Sequence, residues 1–191
     1  MQSKQTVAIL YGIAEGRAHG KRFRQALQNK GYVITDDVQA ATIVIAHSAG
    51  TFYLPKPNHT QTVVCIGATY WPGRNPGVQW SIKFMLDILL TLPRHPLFFI
   101  RKTAWNLWYL ANLGRTFDIL HRYKTFNFPD YVARAGNILT IRNALDPWLT
   151  PSAALLKTSN ARYSYRQIPG QHDDCWRNPE PYIDLIQSLY E

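Results

Sequence analysis

The sequence predicts an α/β protein with a mostly parallel central sheet, helices on both faces of that sheet, and a helical insert. Two continuous apolar runs rich in β-branched residues, "ATIVIA" and "TVVCIGA", are typical of strands covered on both faces. Strand and helix patterns alternate around them. A block without strand signals then covers residues 72–134. We therefore expect residues 1–71 and 135–191 to form the sheet core and residues 72–134 to form a helical cap or insert.

The first part of the chain alternates between strand and helix signals. The segment "GKRFRQALQNK" predicts a helix because Phe23, Ala26 and Leu27 share one face, and Gly31 ends it. The predicted strands in this part are "TVAILY", the short "YVIT", "ATIVIA" and "TVVCIGA".

The later elements follow from the same patterns. Helical spacing in the insert predicts three helices, in "VQWSIKFMLDILLTL", "PLFFIRKTAWNLWYLANLG" and "RTFDILHRYKTF". The strand "NILTIRN" resumes the sheet, and "PSAALLKTSN" predicts a further helix. "YSYRQIPG" is the predicted last strand, and "PEPYIDLIQSLY" is a closing helix that begins at a proline.

Composition limits the class of protein. The 191 residues fit one domain, or one with a modest insertion, and 46% apolar residues suffice for a core. The net charge of +9 favours anionic partners, although the charges could serve solubility alone. Cys65 and Cys175 are too few for a disulfide framework or a metal ladder, and Cys65 is expected to be an inert core thiol. No apolar run reaches the ~20 residues of a membrane span, so we expect a cytoplasmic protein.

The segment "AHSAG" carries the strongest chemical signal. Ser48 directly follows a predicted buried strand, with small residues, Ala46 and Gly50, two positions to either side. A strand that turns sharply into a helix needs small residues at those places, because the turn brings backbone segments together. Such a turn directs the hydroxyl toward the carboxyl ends of the strands, where open α/β sheets bind ligands.

Three motifs in the order Ser, Asp, His resemble those of the α/β-hydrolase superfamily, in particular its small serine hydrolases. Ser48 matches the nucleophile elbow, Asp146 in "LTIRNALDPWLTP" matches the loop of the acid, and His172 in "RQIPGQHDDCW" matches the loop of the base. The resemblance covers most of the chain except the insert. It implies that His172 deprotonates Ser48 and that Asp146 orients the imidazole.

The resemblance also implies an oxyanion hole. Ala49, just after the nucleophile, would supply one backbone N–H. The loop after the first strand would supply the other, with Ile13 as the donor and Gly12 permitting the turn. This sequence departs from the family pattern at Ala46, where glycine is usual, at Tyr11, where histidine is frequent, and at Gln171, where glycine is common.

Several neighbouring residues have competing interpretations. His47 is expected to be a packed residue that points away from the nucleophile. Asp173 and Asp174 are rival acids, but residues adjacent to His172 rarely reach its ring, so Asp146 is preferred. The glycines of "GIAEGRAHG" do not match a dinucleotide fingerprint. We therefore expect no cofactor and no metal.

The aromatic residues of the insert have three interpretations. The first is ordinary packing between helices, the second is an apolar wall that binds an acyl group, and the third is a surface that contacts a membrane peripherally. Trp71, Trp105 and Trp108 are the candidate substrate-pocket residues.

The sequence therefore favours a serine hydrolase that cleaves an ester or related acyl bond in a small-molecule substrate, without a nucleic-acid partner. The alternatives are a non-catalytic binding protein on the same scaffold and a basic binder of anionic membrane or nucleic acid.

Overall fold

A computed structural model describes residues 5–12, 15–68, 92–93, 96–146 and 162–190. Within these ranges six parallel strands form one sheet, in the order β2-β1-β3-β4-β5-β6. The strands are β1 (Thr6–Leu10), β2 (Val33–Ile34), β3 (Ile43–His47), β4 (Thr62–Ile66), β5 (Asn137–Asn143) and β6 (Tyr163–Ile168). The mostly parallel sheet predicted from the unbroken apolar runs is confirmed.

Helices connect the strands and close the chain. They are α1 (Lys21–Asn29), α2 (Pro96–Ala111), α3 (Leu113–Thr125), α4 (Phe128–Arg134), α5 (Asp174–Arg177) and α6 (Glu180–Gln187), with a 3₁₀ helix at Ser48–Tyr53. The sequence predicted α1, α2, α3 and α6. The helices predicted in "VQWSIKFMLDILLTL" and "PSAALLKTSN" lie outside the described residues, except for the last residue of the first, Leu92.

The sheet is buried on both faces because successive side chains of a strand point to opposite sides. Ile43, Ile45, Val64 and Ile66 pack with side chains of α1, α5 and α6 on one face. The intervening residues pack on the other face, where Val63, Cys65 and Ile138 contact residues of α4 and Val44 joins a smaller cluster. Cys65 is fully buried, and burial raises the pKa of its thiol to about 12, so the thiol is neutral.

Helix α4 was not predicted from the sequence. Asn127 caps it by accepting a hydrogen bond from the Asp130 N–H at 3.3 Å, and Phe128, Tyr131 and Val132 pack against the sheet. This helix lies within residues 72–134 but belongs to a layer of the core. The division into a core and an insert otherwise stays a prediction.

Among the helices of the described ranges, none combines the length and the apolar character needed to cross a bilayer.

Candidate active site

The site forms where the strand order reverses. From β1 the chain proceeds to β2 on one side, and β3 then pairs with β1 on the other side. In open α/β sheets the carboxyl ends of two such strands border a crevice that binds ligands. The loop that begins at Tyr11 follows β1 and Ser48 follows β3, so both lie at this crevice.

Ser48 has an unusual backbone conformation. Its φ of 52° makes it the one non-glycine residue with positive φ in the described part of the chain. An L-residue in this region costs about 1–2 kcal/mol. The turn continues into the 3₁₀ helix, in which the Thr51 hydroxyl donates to the Ser48 carbonyl at 2.8 Å. The Ser48 side chain is partly exposed, as access by another molecule requires.

Gly50 shows why this turn needs small residues. A Cβ at Gly50 would lie 2.4 Å from the carbonyl oxygen of Leu10, at the end of β1. Backbone of one strand end therefore passes directly over the turn that follows the neighbouring strand, and any side chain at position 50 would separate them.

His172 and Asp146 form a buried pair. Asp146 follows the end of β5 by three residues and His172 follows the end of β6 by four. The His172 Nδ1 lies 2.7 Å from the Asp146 Oδ2, and both residues are only 3% exposed. A carboxylate oxygen accepts hydrogen bonds, so Nδ1 of His172 is the donor in this contact.

The pair lies over the strand next to Ser48. Gly67 follows β4, and a Cβ there would lie 3.0 Å from Cε1 of His172 and 3.2 Å from Oδ2 of Asp146. The β3–β4 register pairs His47 with Ile66, the residues directly before Ser48 and Gly67. Ser48 and the His172–Asp146 pair therefore lie near the carboxyl ends of neighbouring strands.

The two rival acids have other surroundings. The Asp174 carboxylate accepts from the Gln171 N–H at 2.7 Å and pairs with Arg177. Asp173 is buried beside His172, whereas Asp146 is the acid that contacts the His172 ring at Nδ1.

The predicted oxyanion residues are described in part. Ala49 is buried at the start of the 3₁₀ helix, and Ile13 lies outside the described residues. Gly12 packs directly on the serine, since a Cβ at Gly12 would lie 3.0 Å from the Ser48 Cβ. The loop after β1 therefore reaches the serine, and the oxyanion donors stay a prediction.

Comparison with known proteins decides the fold. No family model matches this sequence and no curated protein sequence matches it. Solved structures do match: a hydrolase from Pseudomonas aeruginosa shares 13% identity at a TM-score of 0.74, covering 100% of this chain and 91% of that one. A thermophilic esterase from Thermogutta terrifontis shares 12% sequence identity at a TM-score of 0.70, covering 98% of this chain and 90% of that one. The chain has the α/β-hydrolase fold. The enol-lactonase from Burkholderia xenovorans is a further structure with this likeness, at 11% identity and a TM-score of 0.68 over 99% and 92% of the two chains.

On this α/β-hydrolase fold, His47 makes two buried contacts that the sequence did not indicate. It is fully buried, as expected of a packed residue. Its Nδ1 lies 2.8 Å from Glu15 Oε2, and its Nε2 lies 3.0 Å from the His172 carbonyl oxygen. Burial alone lowers the pKa of His47, but the adjacent Cys175 and the Glu15 carboxylate outweigh it and raise that pKa well above its usual value.

Asn143 is the second residue that the sequence analysis missed. Its side-chain amide donates to the carbonyls of Gln171 at 2.7 Å and His172 at 3.2 Å, and its oxygen accepts from the Tyr182 hydroxyl at 2.6 Å. In the sequence, Asn143 could have been noticed as a polar residue at the last position of an apolar strand. Glu15 could have been noticed as a carboxylate three residues after Gly12.

The candidate pocket residues are described only in part. Trp71 lies outside the described residues, Trp105 lies on α2, and Trp108 on the same helix is 55% exposed. Helix α3 instead approaches the site, where Ile119 packs against Ala49 and Phe52.

The described residues also contain a cluster with the donor atoms of a metal site. His47, His172 and Asp173 each offer one ligand atom, and these atoms lie within 4.8 Å of one another. Both nitrogens of His47 and Nδ1 of His172 already have hydrogen-bond partners. A metal ion would have to break one of these bonds, so hydrogen bonding within the protein accounts for the cluster.

Proposed function

We propose that this chain is a serine hydrolase that cleaves an ester or related acyl bond through an acyl-serine intermediate. The observation that carries the proposal is the strained backbone of Ser48, at φ 52°, on the sheet edge that also bears the His172–Asp146 pair. Strain of this kind persists where the surrounding structure holds it, and it concentrates at functional sites. An esterase and an enol-lactonase among the similar structures support the same class of reaction.

Acylation begins at the hydroxyl of Ser48. Nε2 of His172 takes the hydroxyl proton while Oγ attacks the carbonyl carbon of the substrate. The new C–O bond moves the carbonyl electron pair onto oxygen. Asp146 stabilises the imidazolium through Nδ1. When the oxyanion collapses, the bond to the leaving group breaks and His172 gives its proton to that group.

Two backbone N–H groups would stabilise the oxyanion. The N–H of Ala49 is one, and the loop after β1 supplies the other, with Ile13 as the donor and Gly12 packed against Ser48. Each such donor is worth ~2.7–4 kcal/mol in the transition state. Water then attacks the acyl-serine with His172 as base, and the returning proton restores Ser48.

An apolar acyl group fits the surroundings best. The side chains next to Ala49 are apolar: Ile119 and Phe52 pack with it in a buried cluster, and Tyr123 and Phe126 pack against that cluster. Apolar surroundings of this kind favour alkyl or aromatic groups over charged ones.

A fluorophosphonate probe tests the proposal, because it labels an activated serine covalently. We expect the wild type to be labelled and Ser48→Ala and His172→Ala to be unlabelled, with nitrophenyl ester hydrolysis lowered about 10⁴-fold or more. Ser188→Ala is the matched control, since Ser188 is an exposed serine far along the chain in the turn after α6. We expect octanoyl esters to react faster than acetyl esters.

Labelling of Ser48→Ala as strong as that of the wild type would show that another residue is the nucleophile. A folded wild type that binds esters but is neither labelled nor active would support the non-catalytic alternative.

A further inference from the structure

We propose that Glu15 and His47 form a positioning pair that joins the loop after β1 to the loop carrying His172 and so fixes both around Ser48. The inference rests on the proposed serine hydrolase function. It also gives a role to the segment "GIAEGRAHG", which has none in the catalytic steps.

The Glu15 carboxylate makes the first half of the connection. A single oxygen, Oε2, accepts from the Gly12 N–H at 2.8 Å and contacts His47 Nδ1 at 2.8 Å. The Glu15 side chain is only 5% exposed. Because Gly12 packs on Ser48, this carboxylate holds the part of the loop that borders the serine.

The His47 ring makes the second half. Its Nε2 lies 3.0 Å from the carbonyl oxygen of His172, which also accepts from the Asn143 amide at 3.2 Å. Two buried side chains thus fix the backbone of His172. The opposite end of the same residue, Nδ1 of the ring, is held by Asp146. Both the backbone and the ring of His172 are therefore held in place.

Hydrogen-bond roles define the charge of the pair. A carbonyl oxygen only accepts, so His47 Nε2 carries a proton. The raised pKa of His47 favours a proton on Nδ1 as well, so His47 is an imidazolium. Oε2 of Glu15 then accepts from both the Gly12 N–H and His47 Nδ1.

The groups around His47 are consistent with this assignment. Cys175, Trp176, His172 and Asp173 surround the ring, with the Trp176 and His172 ring centroids each 4.8 Å away. Burial raises the pKa of Cys175, and the adjacent His47 opposes that rise. Cys175 and Glu15 raise the pKa of His47, and the Glu15 carboxylate contacts Nδ1.

A buried ion pair is poor evidence for stability, because desolvation of two charges offsets most of their attraction. The connection between two catalytic loops is a better account of this pair. Misplacing a reacting group by about 1 Å can cost about 10²-fold in rate.

The test uses substitutions that keep shape and change one bond at a time. Glu15→Gln keeps an acceptor for Gly12 and removes the charge. His47→Gln keeps a donor near the His172 carbonyl, whereas His47→Asn keeps the contact to Glu15 and loses that donor. Asp36→Asn is the matched control, since Asp36 pairs with Arg17 of the same loop but is 72% exposed.

We expect Glu15→Gln and His47→Asn to lower kcat about 10–100-fold with KM changed less than about two-fold, because the loops act on the transition state. His47→Gln should retain more activity than His47→Asn, and Asp36→Asn should match the wild type. The double variant Glu15→Gln/His47→Asn should lose no more than the worse single variant, because the two residues act as a unit.

The pH profile separates positioning from simple destabilisation. In the wild type, kcat/KM should fall at alkaline pH as His47 loses its proton, and in Glu15→Gln this fall should move to lower pH because one of the two groups that raise the His47 pKa is removed. For stability, the raised pKa of His47 means that the contribution of the pair is complete below the unfolded pKa near 6.5. It is lost as pH rises through the folded pKa of His47.

Unchanged kcat and an unchanged pH profile in folded Glu15→Gln and His47→Asn would overturn the inference. Nitrogen-15 NMR of the imidazole rings distinguishes failure of this inference from failure of the proposed serine hydrolase function. If the wild type is neither labelled nor active, the function fails. The inference then stands or falls on whether Glu15→Gln, but not Asp36→Asn, shifts the ring signals of both His47 and His172.

Discussion

Every residue of β3 and β4 is buried, whereas α2 exposes Leu97, Ile100, Leu107 and Trp108. Both regions are apolar in sequence, but the apolar side chains are buried in the strands and exposed on α2. In the strands, burial on two faces builds a rigid edge that holds Ser48 in its strained conformation. On α2 the same kind of side chain remains in contact with solvent, so it adds little to folding and is available to another molecule.

Truncation of one leucine-sized side chain in each region should show the largest difference in stability between them. Ile45 of β3 is fully buried, so Ile45→Ala should lower the free energy of unfolding by about 2–5 kcal/mol. Leu107→Ala on α2 should change it by less than about 0.5 kcal/mol. Urea titration measures both. Comparable losses in the two variants would mean that α2 is as much a part of the core as β3.

Substitution of Gly50 tests whether the turn at the sheet edge is rigid. Gly50→Ala puts a Cβ 2.4 Å from backbone that cannot rotate away, so it should cost about 1–3 kcal/mol and slow fluorophosphonate labelling of Ser48. Gly16→Ala, where a Cβ meets nothing within 4 Å, is the control. Labelling at the wild-type rate in a folded Gly50→Ala protein would argue against a rigid turn.

The comparison also explains which elements the sequence could predict. The strands β3 and β4 and the helix α1 carry local signals, namely β-branched runs and a one-sided apolar face. Helices α4 and α5 have seven and four residues, too few for a helical period to be recognised. Helix α4 is stabilised by Phe128, Tyr131 and Val132 packing on the sheet, which no local pattern encodes.

The same distinction applies to the candidate site. Ser48, Asp146 and His172 could be proposed because each follows a predicted strand in a recognisable order. The contacts of His47 could not, because they join residues 32 and 125 positions apart in the sequence. Burial of His47 was predictable from its place in an apolar strand. Its partners depend on how the loops after β1 and β6 meet.

The smallest effect on stability is expected from changes to the exposed face of α2. At about 100° per residue, Leu97, Ile100, Leu107 and Trp108 fall within about 100° of one another around the helix. An apolar face of this kind on a chain of net charge +9 suits an anionic lipid surface.

Because both leucines are exposed, the double variant Leu97→Ser/Leu107→Ser should unfold at nearly the wild-type urea concentration. Its binding to vesicles of phosphatidylcholine with phosphatidylglycerol should fall about ten-fold or more, since each leucine contributes up to about 3 kcal/mol when buried. Vesicles of phosphatidylcholine alone measure the apolar part of binding, and 0.5 M salt (about 4 Å screening length) removes most of the electrostatic part. Equal binding of the double variant and the wild type to anionic vesicles would leave the exposed side chains of α2 without a role at a membrane, and the +9 charge alone would account for the attraction.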